Sequence, residues 1–215
     1  MAPTENELRG QIVKAMRDMD AKGLNRGTSG NVSARFEDGM LVTPSGIPAD
    51  ALTPESIVRM SFIGEVALGA LVPSSEWRMH AGLYQARPDA NAVVHCHSRY
   101  ATILACAGKP IPPLHYMVAV SGKAGVPLAP YEPFGSLELA EAVAKAMEGG
   151  LACLMANHGQ ITLGRSLRQA MSIAEEMEEQ AAVYWGTLAI GGPTQLDEAQ
   201  MTEVLRRFGT YGQKS

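Results

Sequence analysis

The sequence predicts an α/β fold: a single domain over residues 1–215 with one mixed β-sheet and helices on its faces. Three observations lead there. Segments with apolar residues at helical spacing alternate along the chain with short alternating or wholly apolar runs. Several of those runs are joined by hairpin-type turns, which makes neighbouring strands antiparallel at those points. The third is size: 215 residues, 46% of them hydrophobic, are enough to bury one sizeable core.

The elements follow in order. Residues 5–22 place Leu8, Ile12, Met16 and Met19 on one helical face, and Gly23 ends the helix. Gly27-Thr28-Ser29-Gly30-Asn31-Val32-Ser33 is a turn rich in glycine and hydroxyls that runs into a strand. Such a turn offers backbone N–H groups and side-chain donors to an anion, although glycine-serine turns are also plain connections. Strands are predicted over 31–36 and 40–43, joined at Asp38-Gly39. Thr43-Pro44-Ser45-Gly46 is a second hydroxyl turn, and Thr53-Pro54-Glu55 reads as a helix start with Pro in the first turn. Residues 57–61 and 65–68 are expected to form a hairpin around Gly64.

Pro73-Ser74-Ser75-Glu76 opens a helix over 75–87. A helix start favours anions, so Glu76 is accounted for there as a first-turn carboxylate. His80, one turn on, either packs or shares a metal with it. Ala92-Val93-Val94-His95-Cys96-His97 reads as a buried strand; alternation puts His95 and His97 on one face and Cys96 on the other. Two adjacent imidazoles are half of a metal site or a hydrogen-bonded core pair. Helices are expected over 98–107, 136–147, 166–190 and 197–207, and strands over 116–120 and 151–155. A loop over 127–135 carries Tyr131 and Phe134, and His115 is read as a loop residue. Glu175, Glu176, Glu178 and Glu179 are read as a solvated helix face.

Composition excludes several classes of function. The 18 basic and 22 acidic residues give a net charge of −4, which argues against a nucleic-acid surface. No apolar run reaches the ~20 residues of a membrane span, and the first residues are polar and acidic, unlike a signal peptide. Cys96, Cys106 and Cys153 are odd in number and scattered, so they make no disulfide framework. All three have apolar sequence neighbours and are read as buried free thiols of a reducing cytoplasm.

His158 ends the 151–155 strand in the run Ala156-Asn157-His158-Gly159. With His95, His97 and Glu76 it completes a set of three imidazoles and one carboxylate suited to zinc. The three hydroxyl turns at 28–31, 45–46 and 74–75 are candidates to converge on one phosphate. A phosphate clamp beside a Lewis acid and a carboxylate base suits carbanion chemistry next to a carbonyl.

These stretches carry a resemblance. With Gly23-Leu24-Asn25-Arg26-Gly27-Thr28, Gly30-Asn31-Val32-Ser33, Pro73-Ser74-Ser75-Glu76, His95-Cys96-His97, His115-Tyr116, Phe134-Gly135, His158-Gly159 and Thr210-Tyr211-Gly212, the chain resembles the class II aldolase/adducin-like family. The resemblance implies a three-layer α/β/α sandwich with a mostly antiparallel sheet. It also implies a homotetramer with active sites at subunit interfaces. The implied activity is reversible cleavage of a ketose 1-phosphate, such as L-fuculose 1-phosphate, to dihydroxyacetone phosphate and a small aldehyde.

Carried over by motif, Glu76, His95, His97 and His158 hold Zn²⁺, and Gly30, Asn31, Ser45, Gly46, Ser74 and Ser75 hold the phosphate. Glu76 is the base once substrate displaces it. Tyr116 of a neighbouring subunit is the proton donor, and Thr28, Phe134, Phe208 and Tyr211 shape the aldehyde side. A 4-epimerase acting on a pentulose 5-phosphate and an aldolase acting on 5-deoxy- or methylthio-ribulose 1-phosphate are alternatives. A non-catalytic adducin-like module is the reading from another class; it is expected to lack the metal histidines.

Overall fold

Central in the sheet is Ala92–Cys96 (β4), every residue of which is buried. The computed structural model describes residues 3–209. β4 pairs antiparallel with Asn31–Phe36 (β1) on one side and Gly159–Gly164 (β7) on the other. Gly39–Val42 (β2) and Val58–Ser61 (β3) extend the β1 edge, and Ala152–Met155 (β6) and Leu128–Ala129 (β5) extend the β7 edge. The order is β3-β2-β1-β4-β7-β6-β5, antiparallel throughout except β5 with β6. The sheet is therefore mixed and mostly antiparallel, as predicted.

Alternation along the strands feeds two cores. Val32, Ala34, Val94 and Cys96 face one way and pack with Glu5–Ala21 (α1) and Leu167–Leu188 (α5). Val93, Met40, Val42, Met155 and Ile161 face the other way and pack with Trp77–Ala86 (α2) and Leu137–Ala146 (α4). Arg99–Cys106 (α3) joins α5 over a third apolar cluster that includes Val118 and Leu154. Glu198–Phe208 (α6) follows. Helices thus cover both faces, giving the three layers.

Several local expectations are corrected. Tyr116–Ser121 is a short 3-10 helix and not a strand. Its Tyr-Met-Val-Ala-Val run favours extended chain, but Gly122 in the left-handed region closes it as a turn that buries Val118 and Ala119. Residues 65–68 form no strand; only Val66 bridges to Met60. The helix expected at Thr53-Pro54-Glu55 is a single 3-10 turn, Pro54–Ser56. β7 went unread because glycines at both ends hide a short Gln-Ile-Thr-Leu run.

Cys106 is exposed at the C-terminal end of α3, whereas Cys96 and Cys153 are buried free thiols. Cys96 points into the α1–α5 core, away from the imidazoles, and burial pushes its thiol up to about 12. The acidic run on α5 is only partly a solvated face: Glu179 is exposed, whereas Glu178 is turned to a neighbouring helix. Glu178 accepts hydrogen bonds from the N–H groups of Tyr100 and Ala101, capping α3 just after His97. Lys22 pairs with Glu175, and Gln180 donates to Glu176.

Candidate metal centre and substrate cleft

His95 enters the site from β4, and His97 follows two residues on, directed to the same side. His158 comes from the turn that joins β6 to β7. Asn157 adopts φ +55 there, a left-handed conformation that Asn tolerates, and this reverses the chain in three residues. Gly159 then passes close to β4: a Cβ on it would lie 2.6 Å from the Cys96 carbonyl oxygen and 2.9 Å from the His97 ring. The glycine is what lets the hairpin bring His158 against His97. The three rings stand edge to face with centroids 4.8–4.9 Å apart.

Glu76 is the N-cap residue of α2, which begins at Trp77, two residues later than expected, so Glu76 stands just before the first turn; it is buried. Its Oε2 lies 3.2 Å from His95 Nε2 and its Oε1 3.1 Å from His158 Nε2. His95 Nε2 is 3.0 Å from His97 Nε2. His95 Nδ1 donates to the Gln160 carbonyl at 2.9 Å, which leaves Nε2 bare and aimed inward.

The donors fit a divalent cation. With metal–nitrogen bonds of about 2.0–2.1 Å, neighbouring ligand atoms of a tetrahedral site sit roughly 3.3 Å apart, close to the spacings here. Glu76 Oε1 is buried with no hydrogen bond despite the nearby His158 nitrogen, so the two atoms meet acceptor to acceptor. A cation between them satisfies both. The ligand atoms of His95, His97 and His158 lie within 4.8 Å of one another. This triad is a divalent-metal site of nitrogen donors, with Glu76 at its side.

Electrostatics agree. Burial alone would raise Glu76, but its interactions with the adjacent His95 and His158 rings outweigh that and hold the carboxyl far below its usual range. A divalent cation supplies the same attraction when the rings are neutral. Burial, then repulsion from His95 and His158, brings His97 down to about 4. It is therefore neutral near pH 7, as a ligand must be.

His80 is fully buried on α2 and does not face the imidazole cluster. Its Nδ1 is 2.7 Å from Ser33 Oγ and its Nε2 2.5 Å from Asn31 Oδ1. Asn31 Nδ2 in turn donates to Glu76 Oε2 at 2.9 Å. Burial, followed by repulsion from His95, brings His80 down to about 3, against an ordinary 6.5. Between those values the unfolded chain binds a proton that the folded chain does not. Folding stability is thus complete above pH 6.5 and falls as pH drops through that window, by about 1.4 kcal/mol per pH unit for this ring. His97 adds a loss of the same sign over 6.5 to 4. Urea titrations of chelator-treated protein should show the midpoint falling between pH 6.5 and 4.5; a flat midpoint would contradict both assignments.

Beside the triad opens a cleft of about 350 Å³, within the range of small-molecule sites. Gly30, Asn31, Ser45, Gly46, Ser74, Ser75, Glu76, His97 and His158 line it, as do Thr28 and Phe134. Hydrogen bonds explain why three distant turns meet. Val32 and Thr43 exchange bonds, Ser74 N–H donates to Thr43 O, and Ser45 N–H donates to Val72 O. Those last two N–H groups are committed, so Ser45 and Ser74 offer the cleft hydroxyls. Gly46 takes φ +71, which a β-carbon would strain. Among the described residues lining the cleft, none is Lys or Arg.

Tyr131, Glu132 and Asn157 also line the cleft and were not singled out as site residues. Tyr116 is exposed and does not reach it. Tyr116 shares a separate groove with Met117, Val204 and Phe208. Tyr211 lies outside the described residues.

The profile of the "Class II Aldolase and Adducin N-terminal domain" matches residues 10–185. The 5-methylthioribulose-1-phosphate/5-deoxyribulose-1-phosphate aldolase of Rhodospirillum rubrum is 46% identical over 205 residues, 95% of this chain and 92% of that protein. The L-fuculose phosphate aldolase of Escherichia coli O6:H1 is 46% identical over 208 residues, 96% of each. A solved L-fuculose 1-phosphate aldolase superposes with a TM-score of 0.91 at 39% identity, covering 97% of this chain and 98% of that one. By sequence over nearly its whole length, and by fold, the chain belongs to the class II aldolase and adducin family.

Proposed function

We propose that the protein is a zinc-dependent aldolase that reversibly cleaves a ketose 1-phosphate to dihydroxyacetone phosphate and a small aldehyde such as L-lactaldehyde. The observation that carries this reading is one cleft: a buried carboxylate touching two imidazole nitrogens, with three hydroxyl turns on its wall. Glu76, His95, His97 and His158 would hold Zn²⁺. When bound, the ion supplies Lewis acidity beside the substrate carbonyl.

The chain's own groups do the rest. Gly30, Asn31, Ser45, Gly46, Ser74 and Ser75 seat the phosphate and so fix the distance from phosphorus to the reacting carbon. In the synthetic direction Glu76 removes the proton from the hydroxyl-bearing carbon of dihydroxyacetone phosphate. The electron pair left there attacks the aldehyde carbon, and the aldehyde oxygen takes a proton. Tyr116 of a neighbouring subunit is the proposed donor, which accounts for its exposure on a groove away from its own chain's cleft. A homotetramer with shared sites follows from that reading, with Thr28, Phe134, Phe208 and Tyr211 around the aldehyde. Three free cysteines fit a cytoplasmic location.

The equal identity to the Rhodospirillum rubrum relative supports a second substrate, a 5-deoxy- or 5-methylthio-ribulose 1-phosphate. Incubating the protein with L-fuculose 1-phosphate and 5-deoxyribulose 1-phosphate, and following dihydroxyacetone phosphate with a coupled dehydrogenase, tests both. Release from one at least tenfold faster than from the other is expected. No release from either, with interconversion of pentulose 5-phosphates instead, would replace the aldolase reading with an epimerase.

A further inference from the structure

Helix α2 and strand β1 meet through a polar seam. Glu76, His80 and Tyr84 recur every four residues along one face of the helix, and Asn31 and Ser33 every two along one face of the strand. The two periods coincide. Tyr84 Oη lies 2.8 Å from Ser33 Oγ, Ser33 Oγ 2.7 Å from His80 Nδ1, His80 Nε2 2.5 Å from Asn31 Oδ1, and Asn31 Nδ2 2.9 Å from Glu76 Oε2. All five residues are buried. None of His80, Ser33 or Tyr84 lines the cleft.

The donors along this seam have one consistent order. A carboxylate only accepts, so Asn31 turns its amide nitrogen to Glu76 and its carbonyl oxygen to His80. That oxygen also only accepts, so His80 carries its hydrogen on Nε2. Its Nδ1 is then bare and accepts from the Ser33 hydroxyl, whose oxygen accepts from Tyr84. The opposite amide orientation would set the Asn31 oxygen against the carboxylate and its nitrogen against a ring hydrogen.

We infer that His80 is a positioning residue for Glu76: its Nε2–H fixes the orientation of the Asn31 amide, and that amide holds the carboxylate against His95 and His158. The inference rests on the proposed role of Glu76 as metal neighbour and base. It assigns to a residue outside the cleft the task of keeping one carboxylate oxygen in register. Outer partners of metal sites commonly affect affinity or rate about 10- to 100-fold.

Two amide replacements separate positioning from mere filling of space. The Gln side chain in His80→Gln sets its nitrogen near the place of Nε2, within reach of Asn31; the shorter side chain in His80→Asn sets it near Nδ1. Both keep a polar group in the same buried place. Zinc affinity is measured by competition with a chromophoric chelator. Carbon-bound proton exchange of dihydroxyacetone phosphate with deuterated water is measured on the zinc-loaded proteins. His80→Asn should weaken zinc binding and slow exchange by about tenfold, and His80→Gln should recover most of both losses. Equal losses in the two variants, or no loss in either, would overturn the inference.

A wild-type protein that exchanges no proton would remove Glu76 as base, and the zinc comparison would still decide the role of His80. Neither variant needs to fold for a third test. Nitrogen NMR of ring-labelled wild-type protein should show the His80 hydrogen on Nε2 and a bare Nδ1; the reverse tautomer would overturn the order of donors.

Discussion

Replacing Glu76 by glutamine is expected to lower kcat by about 10²–10⁴-fold, the range for loss of a positioned general base, with the fold intact. Glutamine has nearly the same shape and still offers an oxygen to Asn31 Nδ2, so the α2–β1 contacts survive. What it lacks is the charge and the ability to take a proton. The carboxyl sits far below its usual range because positive charge faces it, so it is ionised wherever the enzyme works. Steady-state release of dihydroxyacetone phosphate, beside a thermal melt, reads both halves of the expectation. Turnover within a few-fold of wild type would take the base away from Glu76.

Replacing His95 by alanine is expected to abolish stable metal binding, from about one ion per chain to under about a tenth, because three ligands of the set no longer close a site. His95 is the member whose loss costs most. It is fully buried on the central strand, and its Nε2 touches both His97 and Glu76. The change also strands the Gln160 carbonyl, which receives its Nδ1–H, and opens a cavity. Together these cost about 2–4 kcal/mol, a fall in Tm of roughly 5–15 °C at this chain length. Elemental analysis after dialysis and a melting curve are the measurements. A variant that keeps a full equivalent of metal would place the ion elsewhere.

Much of the centre was legible because strand alternation is a rigid rule. His95-Cys96-His97 had to send its histidines one way and its cysteine the other, and the structure places them so. His158 was visible as a polar residue ending an apolar run. The long-range bonds that stitch Thr43, Ser45 and Ser74 together left no mark in local spacing, and only the resemblance united those turns. Tyr116–Ser121 misled because tertiary burial of Val118 and Ala119 overrode β-propensity. Glu178 misled because the N–H groups that donate to it lie on another helix, nearly eighty residues back in the chain. The seam beneath Glu76 was written in two periods at once, 76-80-84 and 31-33, but only the register of α2 on β1 makes them coincide.

The cleft's want of Lys and Arg has a kinetic side. A phosphate dianion approaching it meets hydroxyls and backbone dipoles, whose fields die away within a few ångströms, and two carboxylates, Glu76 and Glu132. Among the described residues of the cleft wall no side-chain cation draws the ligand in, so the ion that the imidazole triad would hold is the one positive charge to attract it, and capture is otherwise a matter of shape. Selectivity is decided after contact, by how many hydroxyls a given sugar phosphate satisfies at once.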